Sequence, residues 1–331
     1  MKRRIAYLSF VLMLLLMATS SRKEPVTIFI IGDSTAANKD ISGNKQERGW
    51  GMVLQGFFTD KVRVDNHAVN GRSSKSFIDE GRWEKVLQRI TPGDYVLIQF
   101  GHNDEKPAID RHTDPGTTFD ANLRRFVIET RQKGGIPVLL NSVVRRNFYL
   151  KPEKQDDDEL LRNTVYTGEK VNSDTLVDTH GEYAIAPMRV AKEMNCVFIN
   201  ANRVTHDIEQ GLGVEGSRKL HMWFRPGEHP SLPEGRQDNT HYNVYGAHVV
   251  AEALAKEICN SIPALRKYLR HYDYIVAADG TGNYMTPEEA IAAIPMKKKA
   301  KVLILNGQFN NPVVPKNKKV KFVFWGDSSF H

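Results

Sequence analysis

Short apolar runs rich in β-branched residues alternate with segments of helical periodicity along residues 26–262, and that alternation leaves few architectures open. The apolar runs are 26–31, 62–64, 95–100, 137–141 and 196–200; the helical segments are 79–90, 119–133, 181–194 and 243–262. Runs that are apolar throughout suit strands covered on both faces, so the pattern predicts a parallel sheet between two layers of helices. The expected class is α/β, a three-layer α/β/α sandwich. In such sheets the site lies beyond the carboxyl ends of the strands. Local signals mark the helix ends. Thr91-Pro92-Gly93-Asp94 and Lys133-Gly134-Gly135 stop two helices before strands, and Asn243 is placed to cap the last one.

Several of these strand ends carry polar motifs. Ile31-Gly32-Asp33-Ser34-Thr35 closes the first run, Asn70-Gly71-Arg72-Ser73 follows the second, and Gly101-His102-Asn103-Asp104 follows the third. Asp238-Asn239-Thr240-His241 precedes the last helical segment. A serine hydroxyl is a weak nucleophile near neutral pH; it needs a positioned base, and the base needs a partner that fixes its tautomer. Ser34, His241 and Asp238 are assigned those roles, with one short loop presenting the carboxylate and the imidazole together. An acyl-transfer intermediate also needs donors aimed at its oxyanion, for which the backbone N–H groups of Ser34 and Gly71 and the side-chain amide of Asn103 are assigned. A histidine base must be neutral to accept a proton, so activity is expected to rise through the ordinary histidine range of about 6 to 7. Asp33 is expected to hold the turn by hydrogen bonding.

With these motifs in this order, the chain resembles the SGNH or GDSL-type hydrolases, and in detail the rhamnogalacturonan acetylesterases. The resemblance covers about 26–262 and includes Phe100 to Asp104, Val143-Val144-Arg145-Arg146-Asn147-Phe148, Asp178-Thr179-His180-Gly181-Glu182-Tyr183 and Met222-Trp223-Phe224-Arg225-Pro226-Gly227-Glu228. It implies a flavodoxin-like SGNH fold and a serine esterase that removes acetyl groups from pectic polysaccharide, with no cofactor. Other acyl-ester hydrolysis, of lipase or thioesterase type, uses the same machinery, and a non-catalytic pectin-binding protein would keep the surface without the chemistry. His102 lies in the site loop beside the expected substrate. Arg72, Arg145, Arg146 and Arg225 either pair with the carboxylates of an anionic polymer or are ordinary surface charge. Trp50, Trp223 and Phe224 are either a sugar platform or core.

The net charge of +7 invites a polyanion partner, but the excess sits in a basic N-terminal leader and a Lys-rich C-terminal stretch, leaving the body near neutral. Nucleic acid is therefore not expected as a partner. Met1 to Arg4 is basic, the following run to Ala18 is apolar apart from Ser9, and small residues follow, which reads as a signal peptide over 1–21. The expected product is periplasmic or secreted, monomeric and off the membrane once the leader is removed, with the esterase domain over 24–262. Cys196 and Cys259 are expected as free thiols. Eleven histidines raise the question of a metal, yet no His-Glu-x-x-His or paired cysteine ligands accompany them, and metal catalysis is not expected. The polar stretch 151–174, with Asp156-Asp157-Asp158, reads as a solvated insertion.

Past Pro263 the character changes. Tyr274-Ile275-Val276-Ala277, Asp279-Gly280-Thr281-Gly282-Asn283-Tyr284, a helix at 287–294 and strands at 302–305 and 320–324 resemble the opening of the pectin methylesterases, which are right-handed parallel β-helices. Asn310-Asn311 departs from that family, and its catalytic residues lie on coils beyond His331, so residues 263–331 are expected to be a linker and a truncated second enzyme domain, the least stable part of the chain. The full-length parent would then be a bifunctional acetyl- and methylesterase. Gly326-Asp327-Ser328 repeats the nucleophile triplet only three residues before His331, with no partner motifs between, and reads as a turn.

Overall fold

The computed structural model describes residues 25–150 and 171–331; the leader and most of the polar insertion, including Asp156-Asp157-Asp158, lie outside them. In chain order the strands of the body are β1 (Val26–Gly32), β2 (Glu47–Arg48), β3 (Val62–Asn66), β4 (Tyr95–Gln99), β5 (Ile136–Leu140), β6 (Val197–Ile199), β7 (His221–Phe224) and β8 (Arg236–Asn243). The helices are α1 (Trp50–Val53), α2 (Ser74–Asp79), α3 (Arg82–Leu87), α4 (Thr118–Gln132), α5 (Glu182–Glu193), α6 (Ala201–Ser217) and α7 (Val244–Ser261).

β1 is apolar throughout because both of its faces are covered. Ile28 and Ile30 enter one core with Trp50, Leu97, Val250 and Leu254, whereas Phe29 and Ile31 enter the other with Trp83, Ile98, Leu123 and Phe126. Successive side chains on a strand point to opposite faces, so one run feeds two cores. The five parallel strands run in the order β3-β1-β4-β5-β6. Chain progress reverses direction between β1 and β4, which makes that crevice the topological switch point. Ser34 follows β1, Gly71 follows β3 and Asn103 follows β4, so the sheet brings all three to one edge.

Several elements, α6 among them, differ from the sequence expectation. The helical segment at 79–90 shrinks to α3, parted from α2, which ends at Asp79, by Gly81, whose φ of +65° an L-residue rarely adopts. β2, β8 and β7 form a small antiparallel sheet that polar composition had disguised as loop. Asn243 caps α7 as expected, its side chain accepting from the Gly246 N–H at 2.9 Å.

Beyond α7 come β9 (Tyr274–Ala277), the helix α8 (Pro287–Ala293), β10 (Lys299–Asn306), β11 (Gln308–Phe309), β12 (Lys319–Phe324) and β13 (Ser329–Phe330). β12, β10 and β9 pair in parallel, as do β11 and β13, and Gly326-Asp327-Ser328 forms the turn between β12 and β13. Period-two alternation gives this sheet two destinations: Val276, Val302 and Ile304 pack with Ala290 and Ile294 in a small core of its own, while Ile275, Ala277, Leu303 and Leu305 join the core of the body. Gly56 makes the approach possible, since a Cβ there would lie 2.7 Å from Ile275 Cδ1. The Thr59 N–H donates to the Tyr268 carbonyl at 2.9 Å, the Arg270 N–H to the Phe57 carbonyl at 2.8 Å, and Arg48 Nε to the Gly280 carbonyl at 2.9 Å. Because Leu303 is buried in the shared core, Leu303→Ala is expected to destabilise the whole chain by about 3 kcal/mol. Thermal unfolding should then show one transition at a lower midpoint. An unshifted main transition preceded by a separate early one would mean that residues 263–331 unfold independently.

Candidate active site

β8, paired with β7, carries Asp238 and His241 through a departure from regular pairing. His221 pairs with Tyr242 and Trp223 with Gln237, so Met222 alone faces Asp238, Asn239, Thr240 and His241. In a regular strand, residues three apart point to opposite faces, and only such a bulge lets Asp238 and His241 meet. The Asp238 carboxylate closes the bulge itself: Oδ1 accepts from the backbone N–H groups of Thr240 and His241, both at 2.9 Å. Its second oxygen accepts from His241 Nδ1 at 2.8 Å and from Arg236. His241 Nε2 lies 2.9 Å from Ser34 Oγ across 207 residues of sequence.

Protonation follows from these contacts. Asp238 is fully buried, which by itself raises a carboxyl pKa; the charges of His241 and Arg236 and the hydrogen bonds outweigh that and hold it well below the usual carboxylate range. An ionised Asp238 accepts from Nδ1–H, so neutral His241 presents the bare Nε2 to the Ser34 hydroxyl. That is the arrangement in which a serine loses its proton to an imidazole.

The nucleophile turn is closed by Asp33, whose Oδ1 accepts from the Thr35 N–H at 2.9 Å and the Thr35 hydroxyl at 2.8 Å. Trp50 is wholly buried, its Nε1 donating to Gln99 Oε1 at 2.7 Å, and is core rather than platform. Gly71 has φ +73°, a left-handed conformation that glycine adopts without strain. The Asn103 amide donates to the Arg72 carbonyl at 3.3 Å and so ties the third motif to the second. Asp104 anchors that loop, accepting from the Ser74 N–H and hydroxyl, from the Gly101 N–H at 3.1 Å and from the Thr113 hydroxyl at 2.8 Å. Burial pushes its pKa up to about 6 despite these donors.

Residues 30–249 match the GDSL-like lipase/acylhydrolase family. The chain belongs to that family. Among relatives of this GDSL-like hydrolase, the rhamnogalacturonan acetylesterase RhgT of Bacillus subtilis is 38% identical over 237 residues, a span of 71% of this chain and 90% of that protein. The rhamnogalacturonan acetylesterase of Emericella nidulans is 27% identical over 250 residues, covering 75% of this chain and 91% of that one. The crystal structure of YxiM from Bacillus subtilis superposes with a TM-score of 0.54 at 23% identity, over 71% of this chain and 56% of that one, and shows the shared fold.

Three of the expected substrate contacts in this GDSL-like hydrolase are engaged elsewhere. Arg145 is buried and pairs with Glu105 at 2.5 Å, while also donating to the Thr179 hydroxyl at 3.1 Å; a guanidinium so committed braces the loop. Trp223 has the Arg146 and Arg218 guanidinium groups over its ring at 5.3 and 4.8 Å and donates to Asn239 Oδ1 at 2.7 Å, so its ring is engaged in bracing the bulge. His102 is wholly buried, its Nδ1 3.0 Å from His180 Nε2, and His180 Nδ1 lies 2.7 Å from Asp178 Oδ1. Burial, with Arg145 and His180 adding to it, pushes the His102 imidazole well below the histidine range. Burial would raise the Asp178 carboxyl too, but its hydrogen bond to His180 prevails and brings it down to about 2. Arg72 keeps a partly exposed side chain, paired with Glu80 at 3.0 Å. The wholly buried Arg146 bonds to Ser217 Oγ at 2.9 Å and Asn239 Oδ1 at 3.1 Å, which makes it a second brace for the bulge.

Sequence reasoning missed the ionic chain behind the triad. Arg236 lies two residues before Asp238 on the same strand face and also pairs with Glu47 at 3.0 Å; Glu47 pairs with Lys39 at 2.7 Å, and Lys39 Nζ donates to Asn70 Oδ1 at 2.6 Å. Asp238 is thus linked to the residue before Gly71. Arg236→Met takes the guanidinium from the buried Asp238 carboxylate and leaves the half-buried Glu47 with Lys39 alone, and is expected to cost about 3 kcal/mol. A carboxyl held below its unfolded value, about 3.9, adds stability that is present above that pH and lost as pH falls through the folded value. Without Arg236 the folded value of Asp238 rises and less stability is gained. Urea unfolding at pH 7 reads the loss; a variant as stable as the parent would contradict the chain.

Proposed function

We propose that this carboxylic ester hydrolase removes acetyl groups from pectic polysaccharide, with rhamnogalacturonan as substrate, through a Ser34–His241–Asp238 mechanism. The observation that carries the reading is the 2.9 Å approach of His241 Nε2 to Ser34 Oγ, with Asp238 on the far nitrogen. The two acetylesterase relatives support the choice of acetyl group and polymer.

Ser34 Oγ bonds to the acetyl carbon as its proton passes to His241 Nε2. The carbonyl oxygen takes the negative charge, and the backbone N–H groups of Ser34 and Gly71 and the Asn103 amide receive it. The bond to the sugar oxygen breaks as His241 returns the proton to that oxygen, leaving acetyl-Ser34. Water then loses a proton to His241 and adds to the acetyl carbon; acetate departs and Ser34 regains its hydrogen. Every step uses groups of this chain and water.

The basic and apolar leader supports an exported product. The parallel pairing of β9, β10 and β12 supports reading residues 271–331 as the opening coils of a parallel β-helix. The reading predicts that acetate is released from acetylated rhamnogalacturonan with a higher kcat/KM than from acetylated xylan or from long-chain lipid esters, measured by an enzymatic acetate assay and by titration of released fatty acid. Preference for the lipid esters would favour the lipase-type alternative.

A further inference from the structure

Two cavities lie side by side on the face where the catalytic bulge and the C-terminal segment meet. The first, about 280 Å³, is lined by Lys39, Asn70 and Arg236, and therefore adjoins the loop that carries Gly71. The second, about 650 Å³, is lined by Phe224, Asn243 and Tyr245 of the body and by Asn283 and Tyr284 of the C-terminal segment. Gln46 lines both, so the two cavities share a wall between Asn70, which precedes Gly71, and the segment beyond α7.

The chemistry of the second cavity is that of a sugar site. Tyr245 is 59% exposed, and Phe224 and Tyr284 are half-buried, so three aromatic side chains keep surface toward the cavity. Gln46 and Asn283 add amides to the lining, while the Asn243 amide is taken up by the cap of α7 and by the Lys219 and His221 carbonyls. Aromatic faces with a few fixed polar groups hold an amphipathic ring, apolar on its C–H face and polar at its hydroxyls. Glu289 also lines the cavity, but its carboxylate is taken up by the cap of α8, accepting from the Met285 and Thr286 N–H groups at 3.0 and 3.1 Å. The volume falls within the range of about 300–1,000 Å³ that holds a small-molecule-sized ligand, here a short stretch of sugar chain.

We infer that the C-terminal segment completes a polysaccharide-binding furrow in which Tyr245 and Tyr284 stack on sugar residues that flank the acetylated one. This rests on the acetylesterase reading above. It gives residues beyond α7 a part in substrate capture without any chemistry of their own. The Arg48 bond to the Gly280 carbonyl holds the two walls of the furrow together.

The test separates binding from turnover. Calorimetric titration of a deacetylated rhamnogalacturonan oligosaccharide into the full chain carrying Ser34→Ala is expected to show binding, weakened about fivefold to tenfold by adding Tyr245→Ala or Tyr284→Ala and retained with Tyr284→Phe. In the active chain, the ratio of kcat/KM on acetylated polymer to that on 4-nitrophenyl acetate should fall by a similar factor in both alanine variants. Affinity within twofold of the parent in both alanine variants would overturn the furrow. So would no oligosaccharide binding by a parent that still releases acetate from the polymer. Tyrosine-dependent binding with no acetate release from the polymer by the parent would uphold the furrow and defeat the acetylesterase reading instead.

Discussion

Ser34→Ala is expected to lower kcat for acetate release by at least about four orders of magnitude while leaving the far-ultraviolet circular dichroism and the unfolding midpoint close to those of the parent. The size follows from what the hydroxyl does: without it no covalent acetyl-enzyme forms, and what remains is oxyanion stabilisation acting on a poorly placed water. The fold survives because the turn does not depend on this side chain. Asp33 and Thr35 hold it through the two hydrogen bonds they share, and the strand before it is buried on both faces. Retention of a tenth or more of the parent turnover would mean that another group is the nucleophile.

Asp238→Asn is the more discriminating change, with an expected loss in kcat of about 10⁴-fold at nearly unchanged volume. The Asp238 Oδ1 position is spoken for by the Thr240 and His241 N–H groups, so the carbonyl oxygen of an asparagine stays there. Its NH2 then occupies the Oδ2 position and faces His241 Nδ1 and the Arg236 guanidinium, both of which are donors to Asp238. Two donors cannot share a hydrogen bond. His241 escapes by moving its proton to Nε2, and in that tautomer it offers Ser34 an N–H where a lone pair is needed. Assayed at saturating acetylated substrate, the variant should be inactive while the parent turns over. Activity within tenfold of the parent would show that the carboxylate does not set the tautomer.

What was readable in the sequence and what was not divides along a physical line. β1, β4 and β5 could be placed because strands buried on both faces are apolar throughout, and that signal needs no partner to interpret. Ser34 and Asn103 could be assigned because their motifs follow such strands, Gly71 and His241 because their motifs complete the same set in the same order. α6 was not anticipated: it holds Gly211, Gly213 and Gly216, with Gly213 at a non-helical φ of +68°, and polar residues blur its apolar face. β7 and β8 escaped because His221, Arg236 and Asp238 are polar yet buried, an arrangement that makes sense only once their partners are known. Arg236 beside Asp238 is a period-two pair, meaningful only if the segment is a strand. The fates of Arg145 and Trp223 were settled by Glu105, Arg146 and Arg218, whose approach is a property of the tertiary fold. The C-terminal strands were read correctly as elements, but local pattern gave no hint that Ile275 and Leu303 would share the core of the body.

The central claim is that the Ser34 hydroxyl is activated by His241 across the edge of one sheet. Covalent labelling with diethyl 4-nitrophenyl phosphate, followed by intact-mass and peptide mass spectrometry, tests it most directly. The claim predicts one phosphoryl adduct per chain, on the peptide containing Ser34, formed in step with loss of esterase activity and reduced to background in His241→Ala. An active chain that takes up no label, or that carries the label on another residue while Ser34 stays unmodified, would contradict it.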